Sequence, residues 1–162
     1  ALGPWSPEFL KRFGYRFSMV RKRGYHRHYV GGSPLRQPLR DAAFGYVMAP
    51  MAEGLRITTG AELSAPGAGL TPIQLKSAEA AARSLIDLGA AVEPEPWLGT
   101  RPCMTDMLPV LGPAEDHRGL WMHFGHGHQG FTLGPATARI LAELMSGEQP
   151  LVDPTAYRPD RF

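Results

Sequence analysis

Glycine and proline interrupt this chain so often that long helices have little room. Its 162 residues include 19 glycines and 16 prolines, more than one residue in five against an average near ~12%. Inside a helix, glycine costs roughly 1 kcal/mol and proline roughly 3 kcal/mol relative to alanine. A helical bundle is therefore excluded, and short strands, turns and loops are favoured. Three stretches still read as helix. Ser6 caps a short one over Pro7 to Phe13, with Pro7 in its first position and Gly14 past its end. Thr71 caps a second, which Pro72 opens and Gly89 ends, with Ile73, Ala78, Ala82, Leu85 and Ile86 near one stripe. The third runs from Pro135 to Met145. Gly134-Pro135 opens it, Ile140, Leu141 and Leu144 form its apolar side, and Gly147 closes it.

Strand signals fill the spaces between. Tyr15 to Val30 reads as one or two strands and Gly31-Gly32-Ser33-Pro34 as a turn. Ala43 to Met51 and Leu55 to Leu63 form a hairpin about Ala52-Glu53-Gly54, followed by a small-residue loop over Ser64 to Leu70. Glu93-Pro94-Glu95-Pro96 is an extended break. Trp97 to Leu111 holds two strand-like pieces, Leu120 to Phe124 is a compact apolar strand, and the tail from Leu151 is extended. This order predicts an α+β class with a mixed or antiparallel sheet.

Composition narrows the function classes. Hydrophobic residues are 43% and charged residues 20%, a soluble globular balance, and no apolar run approaches the ~20 residues of a membrane span. One cysteine, Cys103, excludes an internal disulfide framework and fits a reducing compartment. The net charge is +2. Arg21-Lys22-Arg23 and Arg27, with His26 and His28 between them, form a local basic patch. It reads as a solvated strand face and is too small to argue for nucleic acid. Ala1 to Ser6 shows neither a leader pattern nor an initiating Met, so the chain is expected to begin after processing or partway through a gene product.

Gly125-His126-Gly127-His128-Gln129-Gly130 matches G-x-G-x-x-G, with a strand before it and a helix after it. A dinucleotide fingerprint also needs a parallel strand beyond the helix, ending in an acidic residue on the ribose. Here a proline-rich tail follows instead, and Phe131 to Gly134 separate the glycines from the expected helix start, so that reading is rejected. Two readings stay open: a packing turn, or a cradle whose glycines admit a flat or anionic ligand beside a helix N-terminus. His123, His126 and His128 lack the spacing and the carboxylate neighbour of a metal centre, so no metal is expected. Nothing beside Cys103 activates its thiol. Arg101, between Gly99-Thr100 and Pro102, suits either a surface ion pair or bidentate capture of a carboxylate.

Several segments, in order, carry a family resemblance. Gly99-Thr100-Arg101-Pro102, Thr105-Asp106 and Leu108-Pro109-Val110-Leu111-Gly112-Pro113 resemble a stretch of FAD-dependent D-amino acid dehydrogenases and glycine oxidase-like enzymes. Gly119-Leu120 through His123, and Gly125 through Thr137, resemble the last strand, flavin-contacting loop and C-terminal helix of that family. Ala1-Leu2-Gly3-Pro4-Trp5-Ser6 and Lys22-Arg23-Gly24-Tyr25-His26 resemble two further steps.

The resemblance implies oxidation of an amino acid, a D-amino acid, by hydride transfer to FAD. It implies that Arg101 holds the substrate carboxylate and touches the cofactor. Gly125, His126, Gly127, His128, Gln129, Gly130, Phe131 and Thr132 would line the flavin. Tyr25, Met48 and His126 would form pocket walls, with no side chain acting as a base. Residues 1–20 would end a strand of the FAD domain, 21–98 would form the substrate domain, and 99–162 would return to the FAD domain. The family's nucleotide-binding fingerprint has no counterpart here. The chain is expected to be the C-terminal part of such an enzyme, to hold FAD weakly or not at all and not turn over alone, and to need its N-terminal half or self-association. The expected location is the cytoplasm, at most peripheral to the inner membrane. The alternative is a non-catalytic binding or assembly module, or one subunit of a split flavoenzyme.

Overall fold

The computed structural model describes residues 2–65 and 67–162. Ala1, which begins the first resemblance segment, and Pro66, in the loop expected over Ser64 to Leu70, lie outside the described residues. In chain order the elements are α1 (Ser6–Leu10), β1 (Met19–Gly31), β2 (Leu39–Asp41), β3 (Tyr46–Met51), β4 (Gly54–Thr59), β5 (Glu62–Leu63), α2 (Ile73–Leu85), β6 (Gly89–Ala91), β7 (Trp97–Met104), β8 (Val110–Pro113), β9 (Trp121–Phe124) and α3 (Gly130–Ser146). The α+β class and the antiparallel pairing follow the sequence expectation. The chain divides into two compact units, one of Ala1–Lys22 with Arg101–Phe162 and the other of Arg23–Thr100.

The unit Arg23–Thr100 is built on a seven-stranded sheet ordered β2-β3-β4-β1-β5, with β6 and β7 also pairing with β1. The hairpin forms where the sequence places it: Met51 pairs with Gly54 across Ala52-Glu53. Side-chain alternation gives the sheet two characters. Tyr25, Tyr29, Tyr46, Met48 and Ile57 fall on one face and form a buried core with Leu75, Ala78, Ala82 and Leu88. The α2 stripe differs from the expected one. Leu75, Ala78 and Ala82 are buried, while Ile73 is 74% exposed and Leu85 57% exposed. Spacings of three and four align 75, 78 and 82 on one face; Ile73 sits two residues from Leu75, about 200° around the helix. Thr71 does not cap α2, because its hydroxyl is engaged by Glu62 and Arg23. The helix stops at Leu85 with Ile86 extended, and Gly89 opens β6 instead of ending the helix.

In the other unit, β8 and β9 pair antiparallel, Val110 opposite Phe124 and Leu111 opposite His123. Met104, Val110, Ala114, Met122, Phe124 and Leu10 of α1 form its core. The third helix starts earlier than the sequence suggests, at Gly130, with Gln129 as its N-cap residue, so Phe131 to Gly134 are its first turn and not a linker. Pro135 lies inside the helix. The N–H that proline lacks would have bonded the carbonyl of Phe131, a residue 97% exposed whose backbone water can serve. The described residues after α3 form two 3-10 turns and no strand.

Candidate functional site

The unit holding Arg101 brings the Arg101–Met104 end of β7 against the glycine-rich loop after β9. Cys103 and His126 form an isolated antiparallel bridge, and Gly127 N–H donates to the Pro102 carbonyl at 2.8 Å. Close backbone approach requires bare glycines here. Gly125 has φ +84°, and a Cβ on it would sit 2.6 Å from Met104 Cγ. Gly127 has φ +59°, and a Cβ on it would sit 3.3 Å from Cys103 Sγ. Arg101 is half-buried, one residue from the carbonyl that anchors the loop.

Much of the loop's own hydrogen bonding is internal. Gln129 N–H donates to the His126 carbonyl, and the N–H groups of Thr132 and Leu133 both donate to the Gln129 carbonyl. Helix geometry leaves the first two α3 residues, Gly130 and Phe131, outside the helix's own ladder. Donors suited to an electron-rich ligand therefore come from Gly130 and Phe131, not from Gly134-Pro135. His128, Gln129, Phe131 and Thr132 are exposed, and the Thr132 hydroxyl donates to the Gln129 carbonyl.

His123 and His126 converge on Thr137 of α3. Each Nε2 lies 2.9 Å from Thr137 Oγ1, and the rings meet edge to face with centroids 4.8 Å apart. His123 is exposed and His126 half-buried, and partial desolvation holds both imidazoles below the ordinary histidine pKa, with His123 adding to the effect on His126. Sequence reading missed Thr137, because a threonine inside a helical run carries no functional signal by itself. It also missed Arg161, which donates to Asp106 at 2.8 Å and to the Leu108 carbonyl at 2.9 Å, clamping the turn after β7. The Asp106 carboxyl is held below its usual range first by that guanidinium.

Tyr25 and Met48, expected as pocket walls, belong to the other unit. They are 2% and 0% exposed inside the sheet core, so neither side chain offers surface to a ligand. The Tyr25 hydroxyl donates to Glu62 at 2.9 Å and accepts from Arg23 at 3.2 Å. Arg23 also donates to the carbonyls of Ala68 and Gly69, pinning the loop before α2. The alternation that buries Tyr25 turns His26 and His28 to the opposite face. There His26 stacks on Trp97 with centroids 4.5 Å apart, and His28 contacts Glu93 and accepts from Arg56 Nε at 2.8 Å. Desolvation first, then the Arg56 charge, lowers the His26 pKa.

Comparison with known proteins gives a consistent picture. The sequence model of the family described as FAD dependent oxidoreductase, DAO, matches residues 1–144. A glycine oxidase of Pseudomonas aeruginosa is 35% identical over 162 residues, covering 98% of this chain and 44% of the relative. A D-amino acid dehydrogenase of Chromohalobacter salexigens is 28% identical over 166 residues, covering 99% of this chain and 39% of the relative. Among solved structures, a glycine oxidase from Geobacillus kaustophilus superposes with a TM-score of 0.75 at 20% identity, covering 99% of this chain and 44% of that one. That likeness concerns the fold alone. The chain spans less than half the length of these relatives.

Proposed function

The chain belongs to the DAO family of FAD-dependent oxidoreductases, and on that premise we propose that it forms the substrate-binding and flavin-contacting part of an enzyme that oxidises a D-amino acid. In this reading residues 21–98 serve the substrate, residues 1–20 and 99–162 belong with the flavin-binding part, and further polypeptide completes the nucleotide site. The observation that carries the reading is the hydrogen bond from Gly127 N–H to the Pro102 carbonyl, which ties the strand bearing Arg101 to the glycine-rich loop.

The donor set fits a flavin. Gly127 keeps the loop free of a side chain, and the N–H groups of Gly130 and Phe131 stand at the positive end of a 17-residue helix. Such donors suit the electron-rich pyrimidine edge, where negative charge grows on reduction. Bound flavin would supply the hydride acceptor. Arg101 would grip the substrate carboxylate in a two-point bond and so fix which face of the amine-bearing carbon is presented. Gly125, His126, His128, Gln129 and Thr132 would complete the loop around the cofactor. No side chain is assigned as a base, because a neutral amine releases hydride without one. Among the described residues no helix is long and apolar enough to cross a membrane, and the proposed location is the cytoplasm or the membrane periphery.

Anaerobic mixing of the flavin-loaded enzyme with D- and L-forms of several amino acids tests the reading. Bleaching of the flavin absorbance by D-forms alone supports it. Bleaching by L-forms alone, or a purified enzyme that takes up no flavin, overturns it.

A further inference from the structure

One buried hydroxyl stands where two imidazoles meet α3. Thr137 Oγ1 lies 2.9 Å from His123 Nε2 and 2.9 Å from His126 Nε2. It also lies 2.9 Å from the Leu133 carbonyl and 3.2 Å from the Gly134 carbonyl. A threonine hydroxyl has one proton and two lone pairs. Carbonyls only accept, so the proton is directed to them as a three-centre bond. That arrangement leaves the two lone pairs for two ring N–H donors, one from each histidine. Turning the proton toward either ring would leave both carbonyls facing an oxygen lone pair, and Thr137, 6% exposed, has little water to compensate.

We infer that Thr137 is a positioning residue that fixes His123 and His126 in the Nε2–H tautomer, so that their Nδ1 atoms form an acceptor pair for an N–H donor on the ligand of the glycine-rich loop. Neither Nδ1 has a hydrogen-bond partner among the described residues. Partial desolvation lowers both pKa values below the ordinary histidine range, which favours neutral rings with available lone pairs near pH 7. Such acceptors would complement the donor N–H groups of Gly130 and Phe131. An imide, with its N–H between two carbonyls, needs that mixture. The choice of ligand rests on the flavin reading, because the flavin's pyrimidine ring carries such an imide.

Two measurements separate this inference from that reading. The first needs no flavin: long-range proton–nitrogen NMR of this chain, labelled at histidine. Nε2–H signatures for His123 and His126 are expected, kept in Thr137→Ser and replaced by tautomer mixtures in Thr137→Val. Amide spectra confirm that each variant is folded. An Nδ1–H tautomer in the unmodified chain, or a Thr137→Val variant with unchanged signatures, overturns the tautomer assignment. The second compares FAD with its N3-methyl analogue, which lacks the imide N–H, for binding to the apoenzyme. The analogue is expected to bind about tenfold more weakly, and Thr137→Val to narrow that gap. Equal affinities overturn the ligand assignment. Binding of neither overturns it together with the flavin reading, whatever the tautomers show.

Discussion

At the scale of single residues, backbone geometry around the glycine-rich loop sets the strictest limits. Gly127 combines φ +59° with a Cβ position 3.3 Å from Cys103 Sγ. A β-branched residue is strained in that conformation by about 1–3 kcal/mol. Gly127→Val should lower the thermal midpoint of the chain and weaken flavin retention in the loaded enzyme. Unchanged flavin content after gel filtration would contradict the cradle. The two histidines on Thr137 give a pH signature. Partial desolvation holds both pKa values below the ordinary 6.5 in the folded state, so between the folded pKa and about 6.5 the unfolded chain binds protons that the folded chain refuses. Their contribution is complete above about pH 6.5 and is lost as pH falls through the folded values. Urea midpoints should drop between about pH 7.5 and about pH 5.5, and His123→Gln with His126→Gln should flatten that drop. An equal drop in the double variant would contradict the desolvation argument.

At the scale of elements, α2 offers the cleanest contrast. Leu75 is 1% exposed and Ile73 74% exposed. Leu75→Ala should cost about 2–5 kcal/mol, and Ile73→Ala less than about 0.5 kcal/mol, both read from urea unfolding. The reverse ranking would mean that the helix presents a different face. The same helix shows what the sequence could convey. Its existence and its alanine stripe were legible from spacing; the rotation that buries Leu75 was not, since Ile73 and Leu75 are equally apolar. Likewise the β3–β4 hairpin was readable from Ala52-Glu53-Gly54, whereas the start of α3 was not. Proline is common at a first helical position, and nothing local announced that Pro135 would stand inside the helix, four residues after the exposed Phe131. At the site, the order of motifs pointed to the loop. Partners distant in sequence, Arg161 for Asp106 and Thr137 for His123, became visible only with the fold.

At the scale of the whole molecule, the family match over residues 1–144 places the chain among FAD-dependent oxidoreductases. The 44% coverage of a glycine oxidase leaves more than half of that relative without a counterpart here. Catalysis in the proposed reading therefore belongs to a larger whole in which this chain supplies the carboxylate grip and part of the flavin seat. Arg101 is the residue through which that account stands or falls. Lysine keeps its charge but not the two-point geometry. The deciding measurement is steady-state kinetics of flavin-loaded Arg101→Lys with an amino acid and with its neutral amine analogue. The account predicts KM raised by about 10- to 100-fold for the carboxylated substrate and little change for the amine; an equal effect on both would contradict it.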